Sequence, residues 1–364
     1  MDQATRRSAI ETPLAGAHRE AKANMGSWFG CALPDAFVDW REEYRFAAQT
    51  VALIDKNYRA YLSLTGPDRV RYLNAILTNN VKDLALGHGV VSLLLNPQGH
   101  ILAEIETHAE DKQLFCISFA MIRDTLVPAL DKYIIMDDVT LEDETGEYGM
   151  LALEGPQAEA VVKELTLLDL ADLAELEWRE ARVGTISCRG LRRSAGAIIG
   201  AEFLAERADL GTLWHALEAA VRKNGGGPMG YTALNALRLE QGIPWFGYDF
   251  GEKQIPHEAG LENSHLSYTK GCYTGQEIVE RVRSRGQVNR VRVSLQFDST
   301  KPPASGTALV ADGKENGFVT RSAFSPVLGT SIGMGYVRRE NSAAGSKLEC
   351  NGAVATVIEP PLRR

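Results

Sequence analysis

Residues 60–77, AYLSLTGPDRVRYLNAIL, and residues 149–165, GMLALEGPQAEAVVKEL, follow one plan 89 residues apart. Each reads as a short alternating strand, a Gly-Pro break, and a helix with an apolar face. Proline suits the first helical turn, where its missing N–H costs nothing. Gly66 and Gly155 permit a sharp exit from the strand. The repetition predicts duplicated strand–helix modules within an α+β fold. Coincidence is the competing reading, because strand–Gly-Pro–helix is a common arrangement.

Between the copies lies GVVSLLLNPQGHILAEIETH (89–108). Asn96-Pro97-Gln98-Gly99 carries Pro at the second and Gly at the fourth position of a type I turn, so its flanks should form an antiparallel hairpin. On the second strand Ile101, Ala103, Ile105 and Thr107 share one face; His100, Leu102, Glu104, Glu106 and His108 share the other. Two His and two Glu on one face are suited to metal binding or acid–base work. The plainer reading, preferred here, is a solvated strand face.

Upstream, the first ~45 residues read as a polar lead-in and an amphipathic helix, with SWFGCALPDAF (27–37) as an aromatic turn region. DWREEYRFAAQTVAL (39–53) is rich in helix formers. Downstream, residues 225–250 join a glycine-rich linker to a helix and an aromatic loop. There Trp245, Phe246, Tyr248 and Phe250 are suited to wall a pocket for a planar ligand such as a pterin. Packing between domains explains the same rings equally well. From residue 288 onward NRVRVSLQF, TALVADG, GFVTRSAFS, IGMGYVR, SKLEC and AVATVIEP are short strands punctuated by turns, as in a small antiparallel barrel or sandwich. The expected domains are therefore 1–145, 146–287 and 288–364.

Bulk properties narrow the class. A chain of 364 residues is longer than one hydrophobic core usually serves. Its net charge of −8 argues against general nucleic-acid or membrane-surface binding. Five widely spaced cysteines without a CxxC pair suit reduced thiols. With no signal-like or ~18-residue apolar run, the expected compartment is the cytoplasm.

KGCYTGQE (270–277) holds the thiol of greatest interest. TGQE fits a capping box, with Thr274 as N-cap and Glu277 reaching back, for a helix from Gly275 to about Arg285 that Gly286 ends. Glu277 and Arg281 then stand at a favourable i, i+4 spacing. Cys272 falls near a helix N-terminus and beside Lys270, surroundings that favour a nucleophilic thiolate. An inert, buried cysteine is the even alternative. A complete metal site is not indicated, and no spacing supports a Cys–His pair with His257 or His265. Arg281, Arg283, Arg285, Arg290 and Arg292 form a candidate anion site or, equally, a solvated basic face.

TKGCYTGQEIVER (269–281) resembles the signature loop of the YgfZ-type folate-binding proteins, relatives of the glycine-cleavage T-protein, an aminomethyltransferase. Similarity to that superfamily extends over LTGPDRVRYLNAILTNNV (64–81), LNPQGHILAEI (95–105), the Arg-x-Glu segment with its following loop (236–261), and GFVTRSAFSPVLGTSIGMGYV (317–337). The resemblance implies three domains around a central folate channel, with a C-terminal β-barrel. Tetrahydrofolate is the implied cofactor, with Asn96, Arg238, Trp245, Phe246, Tyr248 and Glu258 as binding residues and Glu104 and Cys272 as reactive ones. In the YgfZ branch it implies assistance to iron–sulfur enzymes or a scaffold protein; in the transferase branch, one-carbon transfer. Several positions depart from the transferase pattern. Its Asp-Asp pair reads Ala103-Glu104, its hairpin tyrosine Val91, its Gly-Glu Gly196-Ala197, and its Arg-Asp Leu234-Asn235. Loss of an acid beside the reacting nitrogen disfavours aminomethyl transfer, so the YgfZ-type role is the leading expectation and transfer the alternative.

Overall fold

The computed structural model describes residues 9–193 and 200–362. Strands β1 (Ile10–Glu11), β2 (Asn24–Trp28) and β3 (Cys31–Ala36) make a small sheet in the order β1–β3–β2, with helix α1 (Ala15–Glu20) between the first two. The stretch 27–37 is thus more than a turn. Positive φ at Phe29 (52°) and Gly30 (72°) reverses the chain within two residues, and Trp28 pairs with Cys31. Helix α2 (Trp40–Gln49) forms where helix formers cluster, and Asp39 caps it by accepting the Arg41 amide at 2.8 Å.

The duplication is complete in space. Strand β4 (Ala52–Asp55) leads into β5 (Arg59–Thr65), α3 (Arg69–Ile76), β6 (Gly89–Leu95), β7 (Ile101–Ala109), β8 (Leu114–Phe119) and α4 (Arg123–Asp131). Strand β9 (Thr140–Asp143) leads into β10 (Tyr148–Glu154), α5 (Ala158–Thr166), β11 (Trp178–Val183), β12 (Ile186–Arg192), β13 (Gly200–Glu206) and α6 (Leu210–Lys223). The sheets run β6–β7–β8–β5–β9 and β11–β12–β13–β10–β4–β14, the last being β14 (Gly227–Pro228). Each module therefore lends its leading strand to the other: β4 pairs with β10 and β9 with β5. A cut at 145/146 does not separate the two sheets. The paired glycines make this exchange possible. A Cβ on Gly66 would lie 2.2 Å from the carbonyl of Asp138, just ahead of β9, and one on Gly155 would lie 2.5 Å from that of Thr50, just ahead of β4. Both glycines have positive φ (94° and 139°). The helices begin two residues after Pro67 and Pro156 rather than at them.

Apolar periodicity decides the layers. Leu64, Leu73, Leu94 and Leu130 join α3 and α4 to the outer face of one sheet; Leu153, Val161, Phe203 and Leu217 do the same for α5 and α6. Tyr61, Phe115, Met150, Trp178 and Leu204 pack the two inner faces together. This corrects the solvated reading of the second hairpin face, because Glu106 and His108 are buried.

Helices α7 (Tyr231–Gln241) and α8 (Gln276–Arg285) precede six strands: β15 (Arg290–Phe297), β16 (Ala308–Ala311), β17 (Lys314–Ser325), β18 (Thr330–Arg338), β19 (Lys347–Cys350) and β20 (Ala353–Ile358). They close into an antiparallel barrel in the order β15–β18–β17–β16–β19–β20, as the strand-and-turn pattern predicts. Helix α7 ties the barrel to the rest through buried Glu240, which accepts the Tyr44 hydroxyl at 2.7 Å and the Ser325 hydroxyl at 2.6 Å. Among the described residues no helix is long and apolar enough to cross a membrane.

Candidate ligand cavity

Where the two sheets, α7, the aromatic loop and the barrel meet, a cavity of about 410 Å³ opens. Phe29, Phe119, Trp245, Phe246 and Phe250 supply its apolar walls. Its polar lining is highly charged and includes Lys56, Arg59, Glu104, Glu154, Arg193, Glu202, Arg238 and Arg292.

Arg238 is held from three sides. Its Nε donates to Asn235 Oδ1 at 3.0 Å, its Nη1 donates to the Ile243 carbonyl at 3.1 Å and to Asp249, and its guanidinium lies 4.5 Å from the Trp245 ring centre. Burial lowers its pKa, and the Asp249 pair only partly opposes this. Its Nη2 is enclosed without an acceptor.

Of the residues singled out in the sequence, Glu104, Arg238, Trp245 and Phe246 line the cavity, and the other four lie elsewhere. Tyr248 packs on the far side of its loop, where its hydroxyl accepts the Phe29 amide at 2.8 Å and the Arg321 guanidinium lies 4.3 Å from its ring centre. Within the aromatic loop, Trp245, Phe246 and Phe250 thus line the cavity while Tyr248 serves packing. Asn96 is committed to its turn, its Oδ1 accepting the amides of Gln98 (3.0 Å) and His100 (2.9 Å). Glu258 accepts the Ile255 amide at 3.1 Å and steadies a loop. Gly196-Ala197 lie outside the described residues, as does the Arg285 side chain.

Glu104 reaches the cavity from the second hairpin strand. Ala103 faces the core while Glu104 faces inward, and the register shift in the hairpin falls at Leu94/Leu95. Glu104 Oε2 lies 3.4 Å from His265 Nε2, and Ser264 Oγ lies 2.7 Å from the other ring nitrogen. The acid thus sits in a chain of groups that fixes its direction.

Two residues along the same face, Glu106 meets His108 Nε2 at 2.7 Å and pairs with Arg193. Burial raises the Glu106 pKa, but Arg193, His108 and Arg59 outweigh it and hold the carboxyl far below its usual range. A depressed folded-state pKa adds stability above the unfolded value, about 4.3, and that stability is lost as pH falls through the folded value. Acid titration of wild type and Glu106→Gln should therefore show a shallower acid limb in the variant. Parallel curves would exclude this contribution.

The Cys loop is anchored on the hairpin turn. Gly275 (φ 82°) is the N-cap of α8 and makes no side-chain cap bond, so the capping box at Thr274 and Glu277 does not form. The turn of chain at Gly275 is needed for docking, since a Cβ there would meet the Asn96 carbonyl at 2.6 Å. Lys270 donates to the carbonyls of Leu77 (2.5 Å) and Asn79 (2.8 Å), and burial lowers its pKa to about 8. Its ammonium therefore serves the end of α3. Cys272 is exposed, unlike the other four cysteines; burial pushes the thiols of Cys31 and Cys116 up to about 12. Gly275→Ala should destabilise the chain by roughly 1–3 kcal/mol, through strained φ and the clash, measured by chemical denaturation. A change below about 0.5 kcal/mol would mean the loop is not docked this way.

The basic run divides. Arg292 reaches the cavity, donating from Nε to the Ala259 carbonyl at 2.8 Å, whereas Arg283 is exposed and pairs with Glu280 (3.4 Å). Sequence reasoning missed Lys56, Arg59, Glu154, Arg193, Glu202 and Asp249, and weighed His265 only as a partner of Cys272. The available signal was a charge interrupting an otherwise apolar strand or loop, as in NYRAYLSL (57–64) and GYDF (247–250).

An interlocked pair of strand–helix modules, a charged and aromatic cavity, and a closing six-stranded barrel define a T-protein type of architecture. The chain belongs to the glycine-cleavage T-protein family: residues 14–264 match the GCVT N-terminal domain, and residues 290–362 match the glycine cleavage T-protein C-terminal barrel domain. It is 29% identical to an aminomethyltransferase of Moorella thermoacetica, over 97% of this chain and 98% of the relative. It is 27% identical to one of Streptomyces avermitilis, over 92% and 91% respectively. The crystal structure of glycine cleavage system aminomethyltransferase T from Bartonella henselae superposes with a TM-score of 0.86 at 22% identity, covering 97% of this chain and 98% of that one, and shares the fold.

Proposed function

We propose that the cavity binds tetrahydrofolate and that the chain handles a one-carbon unit there, as an aminomethyltransferase or a related methyltransferase. The observation that carries this reading is a charged cavity whose wall sets the Arg238 guanidinium beside the Trp245 and Phe246 rings. A planar heteroaromatic ligand with acceptor atoms suits that wall. When bound, folate supplies a nitrogen that carries the one-carbon unit. Arg238 and the rings orient the ligand, Glu104 sets a negative charge in the cavity, and His265 holds that carboxylate in place. Full-length protein titrated with tetrahydrofolate should show saturable quenching of tryptophan fluorescence. No binding at millimolar ligand would sink the reading.

A second reading is favoured by a separate observation: of five cysteines only Cys272 is exposed, on a loop docked against the hairpin that bears Glu104. In this YgfZ-type role, a folate-bound protein in the cytoplasm would assist an iron–sulfur enzyme or scaffold protein through that thiol. Cys272→Ala should then lower iron–sulfur enzyme activities in cells while leaving folate binding intact. Unchanged activities would remove the thiol from the account.

A further inference from the structure

A second hollow, of about 580 Å³, lies where α2, α7 and β17 meet, and it shares no lining residue with the central cavity. Three aromatic rings wall it: Trp28 from β2, Trp40 from α2 and Phe324 from β17. Two guanidinium groups enter it, and both are braced on rings rather than on acids. That of Arg321 lies 4.3 Å from the Tyr248 ring centre and 5.0 Å from that of Trp28. That of Arg41 lies 4.7 Å from the Trp40 ring centre and 5.9 Å from that of Phe324. Ring faces hold a cation in place without cancelling its charge. Among the described residues neither arginine has an ion pair, and no Asp or Glu lines the hollow. The rest of its polar lining, Asn235 and Ser322 included, is neutral. In a chain of net charge −8 this is a local concentration of positive charge, and apolar walls around it focus the field inward.

We infer that this hollow is a second ligand site, and that it takes a small planar aromatic carboxylate. The ring of such a ligand lies among Trp28, Trp40 and Phe324, where flat surfaces favour a flat partner. Its carboxylate meets Arg321, the more enclosed of the two cations, while exposed Arg41 closes the mouth. A guanidinium offers a planar fork matched to a carboxylate. A neutral ring leaves both cations unanswered, and an aliphatic anion leaves the aromatic walls wet. The size falls within the range of sites for small organic ligands. Asn235 joins this site to the central cavity, since its Nδ2 donates to the Ser322 carbonyl at 3.3 Å and its Oδ1 accepts from Arg238 Nε at 3.0 Å. The two sites thus stand on opposite sides of α7. The inference does not depend on what the central cavity binds.

Isothermal titration of the full-length protein with benzoate, benzamide and acetate tests this. Benzoate should bind at least about tenfold more tightly than benzamide or acetate, since a charged hydrogen bond is worth a factor of that size. Arg321→Gln and Arg41→Glu should each weaken benzoate by about tenfold or more. Arg41 stands in the first turn of α2, where an acid is favourable, so Arg41→Glu should fold normally even if Arg321→Gln does not. Circular dichroism of both variants checks this. Adding tetrahydrofolate at saturation should leave benzoate binding in place. Four results would overturn the inference. They are no binding of benzoate at roughly 10 mM, equal binding of benzoate and benzamide, unchanged benzoate binding in Arg41→Glu, or displacement of benzoate by tetrahydrofolate, which would assign the ring to the central cavity. Benzoate binding that meets these conditions in a protein that binds no folate would leave this site standing and remove the folate reading.

Discussion

Replacing Asp249 with alanine is expected to lower the free energy of unfolding by about 3–5 kcal/mol, the cost of breaking a buried pair from one side. Asp249 is 1% exposed and serves three elements at once. Its Oδ2 pairs with Arg238 and accepts the Trp245 amide at 2.9 Å, and its Oδ1 accepts the Thr320 hydroxyl at 2.6 Å. Its own carbonyl accepts the Tyr336 hydroxyl at 2.8 Å. Without the carboxylate, Arg238 would remain in the interior with no counter-charge, and the aromatic loop would lose its link to the barrel. Asp249→Asn keeps the shape and part of the hydrogen bonding, so it should lose less than the alanine variant. Urea denaturation of both variants measures this. A loss below about 1 kcal/mol for Asp249→Ala would show that water reaches the site and the pair is not a structural hub.

Glu104→Gln is expected to reduce one-carbon transfer by about 10²–10³-fold, the range seen when one preorganised electrostatic group is removed from a site. Tetrahydrofolate binding should change little, because the amide keeps the size and hydrogen-bonding capacity of the acid. The loss should appear in kcat rather than KM, as it does when an interaction exists chiefly in the transition state. His265→Gln should cost less, since it removes the partner at 3.4 Å that orients the carboxylate but leaves the charge in place. Full transfer activity in Glu104→Gln would take the acid out of the chemistry and shift weight to the Cys272 reading.

Local signals carried a large part of the fold. The Gly-Pro repeats, the Asn96–Gly99 turn and all six barrel strands were legible because each depends on a few adjacent residues: turn chemistry, alternation, helix-forming composition. The capping box at Thr274 failed because Gly275 was claimed by a distant contact, the Asn96 carbonyl. The polar strand face was misread as solvated because burial of Glu106 and His108 depends on which surface the second sheet covers.

The cavity divides along the same line. Arg238, Trp245 and Phe246 stand in a recognisable segment, and Glu104 could be assigned to a face from alternation alone. Asp249, Arg59 and Glu202 could not be found that way, since a charge within an apolar stretch looks the same whether its partner is water, another chain segment or a ligand.

What the amino-acid order by itself determined was the pair of Gly-Pro strand–helix repeats, the Asn96–Gly99 hairpin turn and the six barrel strands, because these follow from neighbours a few residues apart. Only the tertiary structure decided that β4 and β9 change places between modules, that Lys56, Arg59, Glu106 and Glu202 are withdrawn from water, and that Cys272 is not. Those outcomes turn on contacts between residues far apart in the chain, where the energy of burying a charge is set by whatever surface folds over it.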